Sequence, residues 1–457
     1  PDAVWMNSLG MSSNSILKIS AGSDKLFSLT GTYNTKLAFR NDLTGNLVFV
    51  DYISGFLVYV EIADTLDVYH PDISPDGKRV AFCTGLEGID GKSSIYVRDL
   101  NTEGSNLVRL NVESATIPRW RVLDNGDTVI VYVTGAGNNS ENSNFKKQST
   151  WQVVFKDGNF GSPKKLFDGS YHGGVSADNR LAVSGSRLLR ARVADSASTI
   201  TESAHDAIWY EGEQACNASL ANDGSKRTLF LDFGGSVGQK FVGKSYDVHE
   251  RLLVVDSLGS LVQSVAAPAG FSFDHSEWAL NVLDSAGGLA VATLVNANGS
   301  HSKIVAVNLR DSSIVDLIDG EELWHPCLWR YPRSDAHGED SVIDLDSAGA
   351  YLSAGFDDQQ VRFRLKMERF WKRLPYTEVF LAGSSRMELG GNPDLYPERN
   401  MLNFAIEGID LDRDFYFIKN YCLKHAGKIK AIAFSVDLDD WRGHNKFLYR
   451  IVKSGPG

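Results

Sequence analysis

Six segments of the chain resemble one another, and four of them open on a histidine, His70, His172, His275 and His325. The segments begin His70-Pro-Asp-Ile-Ser74, Ile117-Pro-Arg-Trp-Arg121, His172-Gly-Gly-Val-Ser176, Ala215-Cys-Asn-Ala-Ser219, His275-Ser-Glu-Trp-Ala279 and His325-Pro-Cys-Leu-Trp329. Neutral imidazoles are common ligands of transition metals, so several of them converging would offer a site for a divalent ion. The same segments supply Arg119, Trp120, Asn217, Glu277, Trp278, Trp324 and Arg330, and Glu211 and Glu213 lie just before the fourth start. Trp faces stack on pyranose C–H groups, Arg and Asn hydrogen-bond hydroxyls, and Glu can act as acid or base on a glycosidic bond. Each residue also has a plainer use. A His before Pro can bond a neighbouring strand, Trp can fill a core, and Arg and Glu can pair structurally. Strand alternation lets only about half of these side chains face one way.

The elements that must position these groups follow from the repeat. Successive starts lie 47, 55, 43, 60 and 50 residues apart. Turns rich in Asp, Asn and Gly follow most of them, such as Ser74-Pro-Asp-Gly77 and Asn222-Asp-Gly224, and an apolar run comes next. A period of roughly 40–50 residues built from short strands and such turns is the signature of a β-propeller. The expected fold is therefore mainly β: a six-bladed β-propeller over 36–330, after an irregular lead-in at 1–35. The last start, at His325, has no blade of its own after it. Strands near 36–39, 47–51 and 56–60 would complete that blade and close the ring. His70, His275 and His325 then fall in neighbouring blades, with His172 across the ring. A polar stretch at 135–149 reads as a surface insertion.

The remainder reads differently. Residues 331–345 form a linker, and 346–457 alternate strand and helix. A helix is expected over 359–373 and another over about 412–426. Strands are expected near 377–382, 401–406 and 429–436. Such alternation implies a parallel α/β sheet with functional groups at the carboxyl ends of its strands.

The net charge of −11 and pI near 5.4 argue against nucleic acid as a partner, because backbone binding needs a basic face. No apolar run reaches transmembrane length. The chain opens Pro1-Asp-Ala-Val-Trp5, which reads as a processed or excised piece of a longer protein. Cys83, Cys216, Cys327 and Cys422 include no Cys-x-x-Cys pair and read as buried thiols.

His70-Pro-Asp-Ile-Ser-Pro-Asp-Gly-Lys-Arg-Val-Ala-Phe82, followed by Ile95-Tyr-Val-Arg-Asp-Leu100, resembles the repeat of TolB-like propellers. Gly383-Ser-Ser-Arg386 after one strand, with Gly408 after the next, resembles the opening of SGNH-type hydrolases. That resemblance implies Ser385 as nucleophile, with the backbone N–H groups of Ser385 and Gly408 as oxyanion donors. It departs from the family at Ser384, where an Asp is usual, and it lacks the later Asp-x-x-His element. An incomplete SGNH-like α/β module is therefore expected, with esterase activity reserved for a longer protein; His425 and His444 are the only nearby substitutes for the missing base. The pair of modules resembles modular surface lipoproteins of fibre-degrading gut bacteria. That resemblance implies an extracytoplasmic, secreted or cell-surface setting and a polysaccharide or oligosaccharide partner.

The functional expectation is a monomeric, carbohydrate-active protein, a glycan-processing hydrolase working at the axial face. Two alternatives stand beside it. One is a non-catalytic glycan-binding or scaffold propeller. The other is a metal-dependent uronate lyase, by fold-level analogy with oligogalacturonate lyases, which are similar propellers with a His-rich axial metal site. The tentative ligands of such a divalent metal are His70, His172, His275 and His325.

Overall fold

A computed structural model describes residues 17–30, 34–52, 57–63, 65–85, 92–280 and 288–330, and parts of 363–435. The chain divides into two compact units, Pro1–Arg333 and Ser334–Gly457. The first unit is built of antiparallel sheets, an arrangement consistent with a β-propeller.

The strands of this unit fall into groups that follow the repeat. After β1 (Lys18–Ile19) and helix α1 (Ser23–Thr30) come β2 (Thr35–Asn41), β3 (Asn46–Asp51) and β4 (Tyr59–Ile62). Next are β5 (Tyr69–Ile73), β6 (Arg79–Cys83), β7 (Ile95–Asp99) and β8 (Val108–Arg109). A third group holds β9 (Thr116–Val122), β10 (Thr128–Val133), helix α2 (Asn142–Lys147), β11 (Ser149–Lys156), β12 (Asn159–Phe160) and β13 (Lys164–Asp168). Then follow β14 (Gly174–Val175), β15 (Leu181–Ala194) and β16 (Ala204–Ile208). The next group is β17 (Gln214–Leu220), β18 (Thr228–Asp232), helix α3 (Ser236–Val242), β19 (Arg251–Val255) and β20 (Leu261–Ala266). Last come β21 (Phe271–Trp278), β22 (Leu289–Asn296), β23 (His301–Asn308), β24 (Ser313–Asp319) and β25 (Leu323–Arg330).

Strand β25 pairs with β2, so the sheet β25-β2-β3-β4 joins the last start to the N-terminal strands. Cys327 faces Ala38 and Leu328 faces Leu37 in that register. Apolar side chains on both faces of these strands fill the space between neighbouring sheets. Val80, Phe82, Phe49 and Trp329 share one such cluster, and Leu231, Val254, Phe273 and Leu294 share another. Each fully buried Leu, Val or Phe contributes about 1.5–3 kcal/mol, which is why the central strands read as continuous apolar runs.

Two features differ from the sequence reading, and a third adds to it. The lead-in is not wholly irregular: β1 adds to the edge of β24, and Leu26 of α1 is fully buried against the core. The fourteen-residue β15 spans two groups, pairing with β14, β16 and β17, so those strands merge into one seven-stranded sheet. The 135–149 stretch, expected as a surface insertion, is largely exposed but tied down. Buried Asn139 receives the Leu188 N–H at 2.7 Å and donates to the Leu188 carbonyl at 2.8 Å, while Arg190 Nε donates to the Asn139 carbonyl at 2.7 Å. These bonds pin the stretch to β15 at the point where that strand changes partners.

In the second unit, β26 (Val379–Ala382) lies between β27 (Met401–Asn403) and β28 (Ala431–Phe434), all parallel. Helical residues are described between Phe363 and Arg373, at Ser385–Gly390 and from Leu411 to His425, the last run including a π-helical turn at Ile418–Cys422. Phe370, Phe380, Phe404 and Phe417 pack together beneath the sheet. The expected linker at 331–345, Gly408 and His444 lie outside the described residues. All four cysteines are free; Cys83, Cys327 and Cys422 are buried and Cys216 is partly so.

Candidate functional site

The first strands of five groups share one irregularity. Their register shifts at His70-Pro71 in β5, Ile117-Pro118 in β9, Asn217-Ala218 in β17, His275-Ser276 in β21 and His325-Pro326 in β25. The first residue of each pair is left-handed, with φ of 48, 50, 49, 45 and 50°. This is a β-bulge whose first position normally holds Gly. A side chain there costs about 1–2 kcal/mol, least for Asn, and a β-branched residue such as Ile117 is an outlier. Backbone strain kept at equivalent points of several sheets marks an organised site.

These bulges surround a narrow pocket that opens to solvent. His70, Asn217, His275 and His325 line it together with Asp72, Arg119, Glu277, Trp278 and Cys327. A second pocket shares Asp72, Arg119, Trp278 and Leu280 with the first and adds Trp120, Arg121 and Gly173. The imidazoles are close. The ring centres of His70 and His325 are 3.9 Å apart, and those of His275 and His325 are 4.2 Å apart. Burial, then the Arg119 charge and the other imidazoles, holds His70 well below the usual histidine value. Burial followed by His70 and His275 does the same to His325. These two rings are therefore held in the neutral form.

A charged layer adjoins it. Arg119 Nη1 and Nη2 each donate to a Glu277 carboxylate oxygen at 2.6 Å, a bidentate pair across two sheets. Burial works against the Arg119 charge, but Glu277 and then Asp72 overturn it and hold the guanidinium above its ordinary value. Asp72 is buried, and burial pushes its carboxyl up to about 6; Arg119 and the Trp120 N–H oppose that only in part. Asp72 Oδ2 accepts the Trp120 N–H at 2.6 Å, and the Trp120 indole donates to the Asp72 carbonyl at 2.9 Å.

Beside the bulge of β21 lies a second polar cluster. His301 Nε2 is 2.9 Å and His275 Nε2 is 3.5 Å from Asp274 Oδ2. Asp274 Oδ1 accepts from Asn217 Nδ2 at 3.2 Å and from the His275 N–H at 2.9 Å. The other nitrogen of His301 is 3.3 Å from Glu322 Oε2, which also accepts the Trp324 indole N–H at 3.1 Å. Trp324 stacks obliquely on His275 and His301, with ring centres 4.8 and 4.7 Å away. Burial acts to raise the Asp274 carboxyl, but His275 and His301 hold it below the carboxylate range.

Several expected site residues stand elsewhere. His172 lines neither cavity; its carbonyl accepts from Arg119 Nε at 3.3 Å, and burial pushes its ring down to about 3. The group that opens with β14 has no bulge at His172 and turns instead at Gly174, φ 119°. Glu213 caps α3, accepting the N–H groups of Ser236 at 3.0 Å and Val237 at 3.1 Å. Glu211 is exposed on the short turn Tyr210–Gly212 and lines neither cavity. Arg330 is buried and donates to the Thr30 carbonyl at the end of α1. The fourth start is at Asn217 rather than Ala215, because the register shift and the left-handed φ fall there, at a residue type that tolerates it well. Asp72, Asp274, His301 and Glu322 were not singled out from the sequence. The adjacent pair Asp274-His275 was the available signal.

Ser385 opens the helix Ser385–Gly390 directly after β26. Among the described residues no base accepts a hydrogen bond from its hydroxyl. His425 packs edge-on against Trp371, with ring centres 5.0 Å apart. Gly408, the expected oxyanion donor, is outside the described residues.

No protein-family description matches the chain, and no curated protein matches it. Among solved structures it is similar to a protein of unknown function from Bacteroides caccae, at 9% identity over 65% of this chain and 98% of that one, TM-score 0.38. It is also similar to an oligogalacturonate lyase from Vibrio parahaemolyticus, at 12% identity over 66% and 85% of the two chains, TM-score 0.32. A prolyl endopeptidase is similar at 11% identity over 66% of this chain and 41% of that one, TM-score 0.32.

Proposed function

We propose that the first unit is a six-bladed propeller of a carbohydrate-active protein, taking one end of a saccharide into the bulge-lined cavity in an extracytoplasmic setting. The observation that carries this reading is a set of buried polar atoms facing that cavity. Trp278 Nε1 and His325 Nδ1 have no hydrogen-bond partner among the described residues. Buried polar groups are normally satisfied. A polyhydroxylated ligand offers both donors and acceptors to such atoms, while the Trp278 ring gives it an apolar face.

The reaction class that fits best is glycoside hydrolysis. Asp72, with its carboxyl pushed up to about 6, is largely protonated only below that pH, and in mildly acidic solution it can give its proton to a leaving oxygen. Glu277, fixed by Arg119 on the same cavity, is the negative group that would support positive charge on the sugar ring. A non-catalytic binding propeller is the second reading, favoured by the completeness of the Arg119–Glu277 pair, in which each group already satisfies the other. A panel of chromogenic glycosides and neutral and uronic oligosaccharides, tested for turnover and for binding, separates the two. Hydrolysis requires turnover that Asp72→Asn removes while binding persists. Binding without turnover supports the second reading, and neither would overturn both.

For the second unit, we propose an SGNH-like architecture. Its support is the parallel order β27-β26-β28, with a serine at the carboxyl end of the central strand.

A further inference from the structure

Two imidazole nitrogens and one carboxylate oxygen meet beside the cavity, and the groups behind them are arranged as a second layer. We propose that Asp274, His275 and His301 bind one divalent first-row transition-metal ion at the cavity wall.

The ligand atoms of these three residues lie within 4.8 Å of one another. Asp274 Oδ2 is their common point, 2.9 Å from His301 Nε2 and 3.5 Å from His275 Nε2. Two histidines and one carboxylate on one side of an ion is the donor set of open transition-metal sites, suited to zinc, manganese or ferrous iron rather than to calcium or magnesium. The outer layer points the same way. His301 turns its remaining nitrogen to Glu322, 3.3 Å away, and Trp324 steadies that carboxylate at 3.1 Å. A ligating histidine held from behind by a carboxylate is the usual support of a metal site. Asp274 Oδ1 is engaged by Asn217 and by the His275 N–H, which leaves Oδ2 directed at the imidazoles.

The backbone contributes too. Two ligands are adjacent at the β21 bulge and the third opens β23. Ser272 of β21 and His301 of β23 pair with the same residue, Val295, so sheet register holds the donors together. His275 keeps the strained φ of 45°. Relaxing that bulge would turn its ring away, and the bulge is what aims it. His275 and Asn217 both line the cavity, so the open side of the ion would face a bound ligand. This ligand set differs from the ring of blade-start histidines: only His275 is common to both. The inference does not depend on a saccharide, because metal binding is measured without one.

The test is titration of chelator-treated, refolding-checked protein with Zn²⁺ by calorimetry, and with Co²⁺ by visible absorption. The expected result is saturation at one ion per chain, with nitrogen-ligand d–d bands for cobalt. His301→Ala and Asp274→Asn should each weaken binding at least 10-fold, and the positioning variant Glu322→Gln should weaken it about 10-fold while leaving the one-to-one stoichiometry intact. His205→Gln, an exposed histidine paired with Asp195, should bind as the parent does. The circular dichroism spectrum of each variant keeps a folding defect from passing for lost ligation. Absence of saturable binding by the folded parent, or binding that survives both His301→Ala and Asp274→Asn, would overturn the site.

Discussion

The cavity of the first unit and the strand-end serine of the second place reactive residue types at comparable points, yet in different company. The His325 ring centre sits about 4 Å from those of His70 and His275, next to a bidentate ion pair and a buried acid. Ser385 follows a strand as a nucleophile would, but among the described residues no base reaches it. A serine hydroxyl is inert without a proton acceptor, whereas an imidazole, a carboxylate and a guanidinium modify one another as soon as burial brings them together. Strand ends supply positions. Chemistry appears where several sheets deliver their bulges to one point.

The largest effect is expected from breaking the ion pair. Glu277→Ala leaves the Arg119 charge partly buried with its bidentate partner gone, and a loss of about 3–5 kcal/mol in urea unfolding is expected. Arg119→Met combined with Glu277→Leu should recover most of it, since a well-packed apolar pair can replace a buried ionic one. A loss below about 1 kcal/mol in the single variant would place the pair with ordinary surface bridges and weaken the contrast between the two regions.

Next comes the buried acid. The Asp72 pKa rises from 3.8 to about 6 on folding, so the folded state holds this proton more tightly. Its contribution is full below about pH 4 and is lost as pH climbs through 6. A shift of roughly two units corresponds to about 3 kcal/mol between those limits. Unfolding measured at pH 4, 5.5 and 7 should show this decline in the parent and a flatter profile in Asp72→Asn. Parallel profiles would contradict it.

The bulges give a smaller signal. At His325, φ 50°, replacement by Gly should be more stable than replacement by Ala by about 1 kcal/mol, because only Gly accepts that backbone without cost. Equal melting temperatures for His325→Gly and His325→Ala would mean that the strand relaxes out of the bulge. The smallest effect is expected in the other region: Ser385→Ala should leave any turnover by this chain unchanged. Loss of ester hydrolysis in that variant would place a base at Ser385 and dissolve the contrast.

Much of the first unit was legible because its signals are local. Turns such as Asn222-Asp-Gly224 and the apolar runs after them need only neighbouring residues to be read. The His-Pro starts at His70 and His325 announced two of the bulges. What escaped required register. Asp274 and His301 are 27 residues apart and meet only because β21 and β23 flank the same strand, and Glu322 joins them from the turn before β25. Asp72 reads as an ordinary turn-proximal acid until burial raises its pKa. At the fourth start, Ala215 to Ser219 matched the His70 to Ser74 spacing, and only the bulge geometry moves the equivalent position to Asn217. Glu213 and Arg330 have the right chemistry for a site, but a helix N-terminus and a carbonyl at the end of α1 claim them first.

The central claim is that the bulge-lined cavity recognises a saccharide, and a crystal soaked with the tightest-binding oligosaccharide of the panel tests it most directly. The expected result is sugar density between Trp278, Asn217 and His325, with its hydroxyls on Trp278 Nε1 and His325 Nδ1. Density confined to another surface, or an oligosaccharide whose affinity is unchanged by Trp278→Ala in the folded protein, would contradict it.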